Sequence, residues 1–332
     1  VAILVTGAAG FIGFHCSLKL LARGEDVVGI DNLNDYYQVS LKHDRVAAVE
    51  AQHSNFHFLQ IDFADHHALG EALSGTKIDR VVHLGAQAGV RYSIENPRTY
   101  VQSNLVGHLN LLEYARHNDV GHMVYASSSS VYGGNDTLPF RVEDRVDHPL
   151  SLYAATKKAD ELMSETYSHL YGLPQTGLRF FTVYGPWGRP DMAVWLFTDA
   201  ILQGRPIKIF NEGNMRRDFT YIDDIVAGVI GTLDSPPSAD GNVKAGGSRS
   251  PHAIYNIGNH RSEELGRLIE LIEDACGKKA VKDYQPMQAG DVKETFADIS
   301  AIQKDIGFMP TTGIDIGVRR FVDWFRSYHE IR

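Results

Sequence analysis

The chain has 332 residues, 43% of them hydrophobic and 22% charged, which is an ordinary globular balance with room for a nucleotide-sized lobe and a smaller second lobe. Its formal net charge of −9 works against non-specific contact with nucleic acid, so no such partner is expected, and an anionic ligand has to be held by local Arg or Lys side chains or helix N-termini. No apolar run approaches the ~20 residues of a membrane helix, and the opening Val1–Val5 run is too short for a signal peptide, so no membrane partner is expected.

Residues 1–6 form an apolar, β-branched run that stops at Gly7, the pattern of a buried parallel strand. An amphipathic stretch to about Arg23 predicts a helix that ends at Gly24. Further strands are expected over 25–30, 56–61, 79–84, 121–126 and 175–180, with helices over about 97–118 and 152–171. This alternation implies a Rossmann-type, doubly wound parallel sheet, with ligands beyond the carboxyl ends of its strands. After residue 183 the pattern loosens. Residues 234–251 read as a Pro/Gly/Ser-rich loop, and strand candidates at 207–210 and 254–257 with a terminal helix suggest a smaller C-terminal α/β substrate lobe. The expected division is residues 1–182 for the first domain and mainly 183–332 for the second, with some chain returning to the first. Cys16 and Cys276 form no disulfide framework or metal motif, and the fifteen His are scattered. A reducing, cytoplasmic setting and no metal are expected.

Gly7, Gly10 and Gly13 lie in Thr6–Gly13, between the first strand and the first helix. Glycines at that spacing allow a tight turn, close approach of a pyrophosphate and close helix–sheet packing, with Phe11 and Ile12 at the helix start offering backbone N–H groups. Asp31 closes the next strand, where its carboxylate can accept from both ribose hydroxyls of a dinucleotide. A 2′-phosphate would meet like charge there, and Asn32 follows with no Arg or Lys nearby, so NAD is expected over NADP. Asp62 and Phe63, at the end of the third strand, are candidates for the adenine.

Tyr153 and Lys157 are four residues apart on one predicted helix, so they share a face. An ammonium there favours the phenolate, which can take a proton from a hydroxyl while hydride leaves the same carbon. Ser127–Ser130 begin where the fifth strand ends, and a Ser hydroxyl there can donate to the developing oxygen.

Together these residues resemble the extended short-chain dehydrogenase/reductase family, and within it the nucleotide-sugar epimerases. The resemblance extends over essentially the whole chain. It implies that Leu84 and Ala86 line the cofactor, that Ser128 is the catalytic hydroxyl beside Tyr153 and Lys157, and that Arg217, in Arg217–Asp224, binds a diphosphate. Three segments, Asp31–Tyr37, Gly89–Ser93 (with Arg91 facing substrate) and Arg179–Met192, resemble UDP-glucuronate 4-epimerases. That likeness implies that Ser127, Thr182 and Arg189 surround a sugar carboxylate, a chemically apt set for a uronate. It also implies a UDP-sugar substrate, a transient 4-keto sugar that turns its other face to the cofactor, and a homodimer. UDP-hexoses and UDP-N-acetylhexosamines are the alternative substrates. Dehydratases of the family carry Asp-Glu where this chain has Ser129 and Ser130, and UDP-glucuronate decarboxylases usually place Glu in the same segment. Both activities are therefore disfavoured, with the decarboxylase kept as a further alternative.

Overall fold

The computed structural model describes residues 1–288 and 290–331. Its strands are β1 (Ala2–Thr6), β2 (Asp26–Asp31), β3 (Phe56–Gln60), β4 (Ile78–His83), β5 (His122–Ser128), β6 (Gln175–Phe180), β7 (Thr182–Tyr184), β8 (Pro206–Phe210), β9 (Arg216–Tyr221), β10 (His252–Ile257), β11 (Ser262–Glu264) and β12 (Val281–Gln285). Seven of them form one parallel sheet in the order β10-β6-β5-β4-β1-β2-β3. β1 and β6 are buried along their whole length, because helices cover both faces of a parallel sheet. The strand order reverses between β1 and β4. That is the switch point where such sheets open a crevice at their carboxyl ends.

The six strands expected from the first half of the chain are present within a residue or two of their expected limits. The 254–257 segment differs from expectation: β10 is fully buried and pairs with β6 as an edge of the large sheet, not within the small lobe. The small lobe is built from β7, β9 and β11 in one sheet and β8 with β12 in another. The expected helix over 97–118 is broken into Pro97–Tyr100, a π-helical turn Val101–Val106, and Gly107–His117. A widened turn of this kind often marks a functional position. Here it turns Asn104 inward, where its side chain accepts from Gln87 N at 2.8 Å and donates to Gln87 O at 3.1 Å and Thr156 Oγ1 at 3.0 Å.

Helix Leu152–Tyr171 starts and stops where its sequence dictates. Ser151 Oγ accepts from Ala154 N at 3.1 Å, and Gly172 takes the left-handed cap at φ 66°. Helix Val39–Glu50 has little apolar periodicity and was not expected. It is held by Arg45, which is fully buried and donates to Ala9 O (2.9 Å), Tyr37 Oη (2.8 Å), Trp187 O (2.6 Å) and Gly188 O (3.1 Å). One guanidinium thus ties the glycine turn to the loop that carries Arg189. Among the described residues no helix is long and apolar enough to cross a membrane.

Candidate active site

Two adjoining cavities open above the carboxyl ends of the large sheet. The first is lined by Gly7, Gly10, Phe11, Ile12, Gly13, Asp31, Asn32, Asp62, Phe63, Leu84, Ala86 and Lys157. These are all the residues expected to hold the cofactor. The glycines are sterically required. A Cβ on Gly13 would lie 2.1 Å from Gly7 O, and a Cβ on Gly7 would meet Gly85 Cα at 2.8 Å. Gly7 also sits at φ 67°, a conformation that favours glycine. The turn is therefore pressed against both its own helix and the end of β4, leaving a backbone-lined floor of the shape a pyrophosphate needs.

At the far end of this cavity Asp31 Oδ1 accepts from Leu33 N at 2.8 Å. Burial raises its pKa against the pull of that N–H and of Lys42. Asp62 is more occupied, with Oδ1 accepting from Ala64 N (2.8 Å) and Oδ2 from Asn32 Nδ2 (3.3 Å). The expectation that no cation stands near Asp31 is corrected by the fold. Helix Val39–Glu50 brings Lys42 into the cavity wall, where its Nζ donates to Asn34 Oδ1 at 2.9 Å. That ammonium is engaged by Asn34, and the Asp31 carboxylate remains in the cavity lining.

Ser128, Tyr153 and Arg189 line both cavities, so they stand at the junction. Ser128 caps the 3-10 turn Ser129–Tyr132, its Oγ accepting from Ser130 N at 3.1 Å. The Tyr153 ring meets the buried Tyr100 edge-on at 6.0 Å. Lys157 is 2% exposed and donates to Ala126 O at 2.9 Å and Asp160 Oδ2 at 3.2 Å. Burial raises Asp160 to about 7, against the stabilising pull of Lys157. Behind them His83 and His108 stack at 5.3 Å, and burial holds both well below the usual histidine range, His108 at about 3. The base of the site is thus a buried, neutral-histidine wall, beside which Lys157 is held by Ala126 O and Asp160.

The second cavity lies under the small lobe and is lined by Arg91, Ser129, Ser130, Thr182, Arg189 and Arg217, among others. Ser127 lines the first cavity and not the second. Its Oγ donates to Glu161 Oε1 at 2.7 Å, inside a buried cluster where Arg179 clasps Glu161 through Nε (2.8 Å) and Nη2 (3.0 Å). The Ser127 hydroxyl is thus already committed to Glu161, whereas Ser128 lines both cavities. Ser129, Ser130 and Thr182 are among the hydroxyl residues that line this cavity, with Ser128, Ser151 and Thr295. The sequence signal for Ser129 and Ser130 is that hydroxyls stand there in place of acids. Arg91 and Arg217 converge on opposite oxygens of Asp291, at 3.4 Å each, so two guanidinium groups share one carboxylate and the wall stays electropositive.

The chain matches the family model described as GDP-mannose 4,6 dehydratase over residues 4–321. It is 47% identical over 328 residues to a probable UDP-glucuronate 4-epimerase of Rhizobium meliloti, covering 97% of this chain and 96% of that one. Among solved structures, the UDP-glucuronic acid 4-epimerase of Bacillus cereus, in complex with UDP-glucuronic acid and NAD, superposes with a TM-score of 0.86 at 32% identity. The UDP-glucose 4-epimerase of Thermotoga maritima, with UDP-glucose, does so with a TM-score of 0.87 at 29% identity. Each alignment covers 99% of this chain and 100% of the other. A glycine turn under the switch point, Ser128, Tyr153 and Lys157 lining one cavity, and these likenesses along the full chain lead to one conclusion: the protein belongs to the extended short-chain dehydrogenase/reductase family of nucleotide-sugar epimerases.

Proposed function

We propose that this protein converts UDP-glucuronate to UDP-galacturonate by inverting C4. At the coarser level it is an NAD-dependent 4-epimerase of a UDP-linked hexose or hexuronate. The observation that carries the finer reading is the placing of Arg189 with Ser129, Ser130 and Thr182 around the cavity that also holds Tyr153 and Ser128. A guanidinium with hydroxyl donors suits the carboxylate borne on C5, next to the reacting C4.

The backbone-lined cradle at Gly7–Gly13 and the acceptor at Asp31 fit NAD, which when bound supplies a reversible hydride acceptor. Tyr153 takes the proton of the sugar 4-hydroxyl and later returns it. Lys157, one helical turn on from Tyr153, is fixed by Ala126 O and Asp160 in the wall of the same cavity. Ser128 donates to the oxygen as it becomes a carbonyl. Arg217 and Arg91 hold the diphosphate while the keto sugar turns about its linkage. A 4-keto uronate is a β-keto acid and loses carbon dioxide when its C5–carboxylate bond aligns with the carbonyl π system. Arg189 and the hydroxyls hold that bond out of alignment.

Incubation with UDP-glucuronate and no added reductant, with products resolved by chromatography, is expected to give UDP-galacturonate without accumulation of NADH. Conversion of UDP-glucose or UDP-N-acetylglucosamine alone would discard the uronate reading. Arg189→Ala is expected to raise KM for UDP-glucuronate about tenfold or more and to release UDP-pentose. A variant with unchanged kinetics and no pentose contradicts the carboxylate role.

A neutral-hexose substrate is the second reading, and one observation favours it: Arg189 is already paired with a carboxylate of its own chain, Asp191.

The protein is further proposed to act as a homodimer. Helices Gly107–His117 and Leu152–Tyr171 leave Leu109 and Leu162 40% and 57% exposed, a start for an apolar interface. Light scattering is expected to show a dimer for the wild type and a monomer for Leu162→Glu. A monomeric wild type contradicts the proposal.

A further inference from the structure

The pairing of Arg189 has a definite geometry. Its Nε donates to Asp191 Oδ1 at 3.0 Å and its Nη2 to Asp191 Oδ2 at 2.6 Å, while Tyr36 Oη donates to the same Oδ2 at 3.1 Å. Only 24% of the Arg189 side chain and 32% of the Asp191 side chain are exposed, so solvent screens the pair less than an open surface pair. Burial works against the Asp191 charge, but Arg189 holds its pKa below the usual carboxylate range, and the group is ionised at neutral pH. Tyr36 keeps the carboxylate in place from a distant loop, its own ring resting on Tyr92 at 4.8 Å. All four side chains line the sugar cavity.

A guanidinium has two edges that can grip a carboxylate. Asp191 takes the Nε–Nη2 edge. Among the described residues Nη1 makes no hydrogen bond to protein, so the other edge is the one offered to a ligand. Arg189 therefore keeps its direction toward the cavity while much of its charge is already neutralised.

We propose that Asp191 is a specificity-determining residue, a built-in carboxylate that competes with the substrate's carboxylate for Arg189 and so sets how strongly the site prefers a uronate over a neutral hexose. The inference rests on the reading of Arg189 as the anchor of the sugar carboxylate. A uronate approaching the free edge meets a half-neutralised cation with a like charge behind it, and the repulsion weakens its binding. A neutral hexose carries no charge at that position and is indifferent to Asp191. The same pair lets the cavity accept both kinds of sugar with less discrimination than a bare arginine would impose.

The test compares the holoenzyme with its Asp191→Asn variant, which keeps the shape and one acceptor for Nε. Dissociation constants for UDP-glucuronate and UDP-glucose are measured by calorimetry, with product chromatography alongside. UDP-glucuronate is expected to bind about tenfold tighter to the variant, with UDP-glucose changed by less than about twofold. Weaker or unchanged UDP-glucuronate binding overturns the proposal, the first because Asp191 then serves to orient Arg189. Equal changes for both ligands also overturn it, since they mark a structural role. If neither protein converts UDP-glucuronate while both convert UDP-glucose, the uronate reading fails by itself. The difference between the two affinities still decides the part played by Asp191.

Discussion

Tyr153→Phe is expected to lower kcat by roughly 10²- to 10⁴-fold, the span of a lost general acid–base group. The substitution removes one oxygen and leaves the ring, so the edge contact with Tyr100 at 6.0 Å survives and the fold with it. The cofactor cradle lies elsewhere along the cavity, at Gly7–Gly13 and Asp31, and is untouched. The variant should therefore keep bound NAD through gel filtration and still bind UDP-sugar, while turnover disappears. The combination is the point: a variant that loses NAD as well is reporting damage to the site, and one within tenfold of wild-type activity assigns the proton transfer to another group. Ser128 is one such candidate at the junction, but its hydroxyl already caps the Ser129–Tyr132 turn.

The largest stability effect is expected at Arg179. Its guanidinium makes four hydrogen bonds, two to Glu161, one to Tyr132 Oη at 3.0 Å and one to Val142 O at 3.3 Å, and the side chains of Arg179 and Glu161 are 3% and 1% exposed. Arg179 holds the Glu161 carboxylate below its usual pKa although burial works in the opposite direction. Arg179→Leu leaves that carboxylate buried with only Ser127 and Lys158 as partners, at an expected cost of about 3–5 kcal/mol. Chemical denaturation should show it as a large fall in midpoint. Arg179→Leu with Glu161→Leu should recover much of the loss, because two apolar groups leave no orphaned charge. If the double variant is no more stable than the single one, the cost lies in lost packing and hydrogen bonds to Tyr132 and Val142 rather than in the stranded charge.

The same cluster marks where the sequence could be read and where it could not. The parallel strands and their glycine or polar endings were legible, because a strand covered on both faces must be apolar throughout and must stop where the ligand begins. Gly7, Gly13, Asp31, Tyr153 and Lys157 stand out by spacing and by their place at strand ends or on one helix face, and the fold brings all five to the first cavity. Ser127 was not legible. A run of four serines has no internal mark of which hydroxyl faces which way, and the decision is made by Glu161 and Arg179, 34 and 52 positions away in sequence. Helix Val39–Glu50 was missed because a buried arginine holds it, not an apolar stripe, and Lys42 was missed with it. The π turn at Val101–Val106 leaves no compositional trace, and the bonds Asn104 makes from it reach Gln87 and Thr156, which nothing local in the sequence names. The 252–257 strand was assigned to the wrong sheet because its partner, β6, is more than 70 residues earlier and nothing local names it.

The most direct measurement follows a label. Holoenzyme is incubated with UDP-glucuronate carrying deuterium at C4, with no reductant added, and the product is examined by NMR and mass spectrometry. Hydride taken from C4 and returned within one closed site leaves the deuterium at C4 of UDP-galacturonate, with no NADH in solution and no label in water, and this is the expected result. Deuterium lost to solvent, or recovered in free NADH, would contradict inversion by internal hydride return.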